Sequence, residues 1–111
     1  MIYLDNNATT KVLPEVRDAM IKYLTDEYGN PSSKYYQLAI NAKKGIDDAR
    51  RIVSRLFSCD ANEVIFISGS TESNNMIFNG LADLSNKKHI IISNIEHQSI
   101  METAKFLESH G

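Results

Sequence analysis

The sequence predicts an α/β fold, a parallel sheet covered by helices, and two short apolar runs carry that expectation. Val64 to Ile67 reads as a strand, and His89 to Ser93, with three consecutive isoleucines, reads as a strand buried on both faces. Each run ends in a polar turn that leads into a helical pattern. Strand, helix, strand, helix is the alternation from which parallel sheets are built.

Taken in order, Ile2-Tyr3-Leu4 is a short extended piece entering the polar turn "DNNATT". Pro14 suits a first helical turn, where its missing N–H is not needed, and Glu15 complements the dipole there. Val16, Met20 and Leu24 recur at spacings of four, so residues 14–26 are predicted as an amphipathic helix. Gly29, Asn30 and Pro31 in "EYGNPSS" end it, because they are turn residues and a residue before proline is pushed out of the helical region. From about Tyr36 to Phe57, Leu38, Ala42, Ile46, Ala49, Val53 and Leu56 recur every three or four residues. This is the strongest helical pattern in the chain, and Lys43, Lys44, Asp47, Asp48, Arg50 and Arg51 fill the other face.

"SCDANE" is a loop before the first strand, and residues 71–84 follow that strand as a helix with Ile77, Leu81 and Leu84 on one stripe. "SNKK" turns the chain into the second strand, "NIEHQS" is a second polar turn, and a last helix runs from about Ser99 to Ser109. Gly111 stands where a helix cap belongs. The pattern then calls for another strand, since two strands alone leave sheet edges unpaired, so the chain reads as the front piece of something longer.

With 111 residues, 42% of them hydrophobic and 23% charged, the composition is globular. A net charge of -2 and no basic cluster argue against a nucleic-acid partner. The N-terminus has no basic stretch followed by a long apolar run, and no run is long enough for a membrane span, so a soluble cytoplasmic protein is expected. A single cysteine, Cys59, excludes an internal disulfide and fits a reducing compartment. No basic neighbour depresses its thiol pKa, and it reads as a small semi-buried filler. His89 and His110 have no metal-ligand spacing, and no metal site is expected.

The chemistry sits in the two turns after the strands, where open parallel sheets bind ligands. In "ISGSTESNN", Gly69 lets a ligand approach the backbone, and Ser70 and Thr71 bring hydroxyls and amide donors to a helix start. Free N–H groups at the positive end of the dipole suit an anion such as phosphate. The same residues also serve as ordinary N-caps, and no Walker lysine follows. In the second turn, His97 beside Glu96 could stack on an aromatic ligand or shuttle protons near neutral pH, or simply cap a helix. Both turns fall on the same edge of the predicted sheet.

Four stretches, "YLDNNATT", "GNPSS", "ISGSTESNN" and "EHQSI", together resemble the N-terminal signature of cysteine desulfurases, enzymes of the class V aminotransferase group. They stand in family order and at family-like spacing, and the resemblance covers the whole chain. It implies the N-terminal part of a fold type I, pyridoxal-phosphate-dependent three-layer domain, incomplete here. Residues 1–13 would form an active-site arm, and residues 14–111 the first part of the large cofactor-binding domain. It implies pyridoxal 5'-phosphate as cofactor, with Ser70 and Thr71 holding its phosphate and His97 stacking on the pyridine ring and taking part in proton transfer. Asn6, Asn7, Ala8 and Thr9 would fold over the active site near the substrate. The implied reaction takes L-cysteine to L-alanine and passes the sulfur to an enzyme cysteine as a persulfide. A sulfur-acceptor protein, iron–sulfur cluster assembly and a homodimer belong to the same implication.

Departures from the pattern are equally informative. The family anchors the cofactor to a lysine in a Ser-x-His-Lys-like stretch, and none occurs here. Lys87 and Lys88 precede the second strand, at the wrong end of the sheet, and the aspartate for the pyridine nitrogen and the distal-loop thiol have no match, Cys59 included. Where a histidine usually follows "GNPSS", this sequence has Tyr35 and Tyr36. The isolated chain is therefore expected to be inactive. A selenocysteine lyase, a small-amino-acid aminotransferase and a non-catalytic small-anion-binding module are the alternatives. In the resembling fold other strands lie between the two found here, so direct pairing of these two is not expected, and apolar faces should be exposed.

Overall fold

The computed structural model describes residues 2–111, which form two compact units, one ending at Val64 and the other running from Ile65 to Gly111. Four helices account for most of the ordered structure: α1 (Pro14–Thr25), α2 (Gln37–Phe57), α3 (Ser70–Leu84) and α4 (Gln98–His110). A short 3-10 turn, Ala61–Glu63, follows α2. No described helix is long and apolar enough to cross a membrane.

In the first unit, Pro14 opens α1 with Glu15 in its first turn, as the sequence predicts. Helix α1 buries none of its residues. Its contact with α2 is narrow: a Cβ on Gly45 would come within 2.9 Å of Tyr23 Cζ, so the glycine lets the tyrosine ring lie against the helix. The "GNPSS" turn is built by Asn30, whose side-chain oxygen accepts from Ser32 N–H at 2.9 Å and whose backbone N–H donates to Tyr36 Oη at 3.2 Å. A Cβ on Gly29 would strike the Leu38 carbonyl, so that close approach requires glycine. Asn41 Nδ2 ties α2 to the end of α1's connection through Glu27 Oε2 at 2.8 Å.

Ala39 and Ala42 are the buried apolar residues of α2, joined by Ser54, while Leu56 at the end of the predicted stripe is exposed. The helix closes on Ser58, at φ 54°, in the left-handed region that favours glycine. Ser58 N–H bonds Arg55 O and Cys59 N–H bonds Ser54 O at 3.0 Å, which satisfies carbonyls at the helix end. Asp60 and Glu63 then form a capping box around the 3-10 turn.

The predicted strands require correction. Val64 to Ile67 and His89 to Ser93 are not paired into a sheet, and the described residues contain no strand. A strand holds its backbone by bonding to neighbours on either side, and these two segments do not pair with each other. Their side chains show the consequence, with Ile65 and Phe66 more than half exposed and Ile91 at 88%. The stripe Ile77, Leu81 and Leu84 on α3 is likewise exposed. In the second unit the packing is α3 against α4.

Candidate functional site

The buried side chains of the α3–α4 unit are polar. Ser99 and Thr103, one turn apart on α4, are its buried residues. Asn74 Nδ2 donates to Ser99 Oγ at 2.9 Å, and Thr103 Oγ1 donates to Asn75 Oδ1 at 3.1 Å and to Ser99 O at 2.8 Å. Asn75 Nδ2 in turn holds Thr71 O at 2.9 Å. These bonds set the two helix N-termini beside each other. An open concavity of about 490 Å³ lies there, lined by Thr71 and Asn75 from α3 and by His97, Ser99, Glu102, Thr103 and Phe106 at α4.

Helix α3 begins at Ser70, with Gly69 as its N-cap and no side chain capping it. Ser70 and Thr71 are thus the first residues of the helix, not its caps, which removes the ordinary-cap reading of their hydroxyls. The first bond of the helix is Ser73 N–H to Gly69 O, so the amides of Ser70, Thr71 and Glu72 have no intrahelical acceptor. Neither hydroxyl has a hydrogen-bond partner among the described residues. A Cβ on Gly69 would meet nothing within 4 Å, and its φ of 165° is extended backbone open to any residue. The chain's own packing therefore does not demand this glycine.

Glu72 folds back instead of pointing outward. Its Oε2 accepts from Ser68 Oγ at 2.7 Å and Ser68 N at 2.6 Å. The Ser68 hydroxyl, then its amide, hold the Glu72 carboxyl below its ordinary value of 4.5.

His97 is the N-cap of α4: its Nδ1 accepts from Ser99 N–H at 3.2 Å and lies 2.9 Å from Ser99 Oγ. The ring is exposed and shares the concavity with Thr71. The structure thus brings together one predicted residue from each turn, Thr71 and His97. Ser70 is adjacent in the helix but does not line the hollow. Asn6, Asn7, Ala8 and Thr9 lie in the other unit. There the Tyr3 hydroxyl bonds Asp5 O at 3.0 Å and Thr9 Oγ1, Ala8 and Thr9 amides bond Asp5 O at 3.1 and 3.2 Å, and Thr10 Oγ1 bonds Asn6 O at 3.1 Å. The "DNNATT" turn is thereby tied down, with the side chains of Asn6 and Asn7 unengaged among the described residues.

Asn74, Asn75, Ser99 and Thr103 carry no role in the sequence reading. Their signal is there in retrospect: polar residues one turn apart on α4 opposite adjacent asparagines on α3 mark a hydrogen-bonded helix contact. Cys59 is partly buried and free, consistent with a filler.

Two helices thus present a bare N-terminus and a capping histidine to one hollow. Residues 2–111 match the aminotransferase class-V family, and the chain belongs to that family. It is 41% identical to a protein named cysteine desulfurase IscS from Methylobacillus flagellatus, over 99% of this chain and 28% of that protein. A cysteine desulfurase IscS of Rickettsia massiliae is also 41% identical, over 99% of this chain and 27% of its own length. A solved structure titled NifS-like protein superposes with a TM-score of 0.88 at 36% identity, covering 96% of this chain and 29% of that one. The chain thus spans little more than a quarter of the curated relatives it matches.

Proposed function

We propose that this chain supplies the phosphate-gripping part of a pyridoxal-phosphate-dependent cysteine desulfurase. The observation that carries the reading is the opening of α3: three amides without acceptors, two unengaged hydroxyls and a glycine whose Cβ space is empty. These residues fit a phosphate, which accepts several hydrogen bonds, carries negative charge toward the positive helix end and needs clearance from side chains. Ser70 and Thr71 would hold it, and His97, across the hollow from Thr71, would lie against the ring. Asn6, Asn7, Ala8 and Thr9 would lie near the substrate, with the side-chain amides of Asn6 and Asn7 left to contact it while the Thr9 hydroxyl and the Ala8 and Thr9 amides hold the turn. When bound, the cofactor supplies an electron sink that loosens the carbon–sulfur bond of L-cysteine.

The same reading assigns residues 1–13 to an active-site arm and residues 14–111 to the first part of a three-layer, fold type I domain. Val64 to Ile67 and His89 to Ser93 would become strands where neighbouring strands pair with them, which agrees with their exposed apolar side chains. The covalent lysine and the sulfur-carrying thiol would come from elsewhere in the whole protein. A homodimer, a sulfur-acceptor protein, a place in iron–sulfur cluster assembly and a cytoplasmic location complete the proposal.

The test is equilibrium dialysis of this chain with pyridoxal phosphate, pyridoxal and inorganic phosphate, repeated with Thr71→Ala. Pyridoxal phosphate should be retained best, pyridoxal poorly, and Thr71→Ala should weaken retention by about tenfold or more, the worth of one hydrogen bond to a charged group. Equal retention of inorganic phosphate would favour a plain small-anion module. Equal retention of pyridoxal and its phosphate would overturn the reading.

A further inference from the structure

The bonds around His97 decide which of its ring nitrogens can meet a ligand. Nδ1 receives the Ser99 amide, and a backbone N–H only donates, so Nδ1 must be an acceptor without a proton. The Ser99 hydroxyl completes the arrangement. It accepts from Asn74 Nδ2 at 2.9 Å, which directs its own proton toward Nδ1, 2.9 Å away. A neutral ring so held carries its proton on Nε2, and Nε2 has no hydrogen-bond partner among the described residues.

We infer that His97 meets its ligand as a neutral hydrogen-bond donor through Nε2, with Ser99, steadied by Asn74, as the positioning residue that fixes this form. The lone pair that would make the ring a base is at Nδ1, engaged with the α4 N-terminus. Taking up a proton there would require the ring to give up the Ser99 amide, and with it the cap, and the Ser99 hydroxyl to turn from donor to acceptor. Giving up the Nε2 proton without that uptake would leave an imidazolate. Proton transfer at His97 is therefore coupled to opening of the α4 cap, whereas hydrogen-bond donation needs no rearrangement. The functional meaning rests on the proposal that a cofactor ring lies against His97, but the form of the ring does not.

The chain contains its own reference, because the His89 ring has no hydrogen bond among the described residues. Long-range proton–nitrogen NMR on the nitrogen-15-labelled chain at about pH 8.5, where an ordinary histidine is neutral, reads both rings at once. For His97 the Nδ1 signal should fall in the unprotonated range and Nε2 in the protonated range, separated more widely than in His89. Ser99→Pro removes amide and hydroxyl together at a first-turn position that tolerates proline, and should reduce the separation to that of His89. Ser99→Ala keeps the amide and should reduce it part way, as should Asn74→Ala, while Ser99→Thr restores it. A protonated Nδ1, or a wild-type separation equal to that of His89, would overturn the inference. If Ser99→Pro loses α4, an unchanged separation in both alanine variants removes the positioning role. Failure of pyridoxal phosphate to bind would leave these spectra intact and sink only the proposed function.

Discussion

Replacing Thr103 tests whether the seam between α3 and α4 works as described. Its hydroxyl proton is shared between Asn75 Oδ1 and Ser99 O, and the residue is 5% exposed. Thr103→Val removes that donor while keeping nearly the same shape. A net hydrogen bond is worth about 1 kcal/mol. Neither acceptor is left stranded, because Ser99 O sits within a helix ladder and Asn75 is exposed to water. The new methyl regains up to about 0.8 kcal/mol by burial. The net cost of Thr103→Val should therefore stay below about 1 kcal/mol, the difference between those two terms. Thr103→Ala loses the branch as well, leaves a gap and should cost about 1–2 kcal/mol. Urea titrations of the helical circular dichroism signal measure both. Should Thr103→Val by itself cost about 2 kcal/mol or more, the hydroxyl would be holding the helices by more than a shared, replaceable bond, and the reasoning would fail.

Ser58→Gly should stabilise the first unit by about 0.5–1 kcal/mol, since serine pays for the left-handed cap that glycine adopts freely; thermal denaturation checks it. The depressed Glu72 carboxyl supports the α3 start above the unfolded glutamate value, and that support is lost as pH falls through the lower folded value. The Ser68 amide shift should follow this titration, and Glu72→Gln should flatten it. Gly29→Ala should destabilise by about 1–3 kcal/mol, because the added methyl meets Leu38 backbone that cannot turn aside. Gly69→Ala should change stability by less than about 1 kcal/mol yet weaken pyridoxal phosphate retention. Unfolding and dialysis on the same two variants separate packing glycine from ligand glycine.

The helices were legible in the sequence because each carries its own period and punctuation. Pro14 marks the start of α1, and "GNPSS" separates α1 from α2. The strands were not legible as structure, because a strand is completed by neighbours, and apolar character in Val64 to Ile67 says nothing of which segments flank it. The burial pattern failed for the same reason: Leu56 and Leu81 hold the right period, but no element of the described chain covers them. At the site, the placement of Thr71 beside His97 followed from two polar turns on one predicted edge. That edge was argued from a sheet the described residues lack, so the agreement rests on helix N-termini rather than strand order. The tie between them is not legible in sequence, because Asn74 and Asn75 are two of many polar residues in "TESNN" until α4 is laid against them. The His97 cap was one of two readings open to the sequence, and it is compatible with the other, since a ring that caps through Nδ1 still has Nε2 to offer.

Mapping the backbone amides by NMR during addition of pyridoxal phosphate tests most directly whether α3 grips an anion. The amides of Ser70, Thr71 and Glu72 should move, together with His97 Nε2, and pyridoxal lacking the phosphate should leave the three amides where they were. Movement confined to other residues, or identical responses to both compounds, would contradict the account.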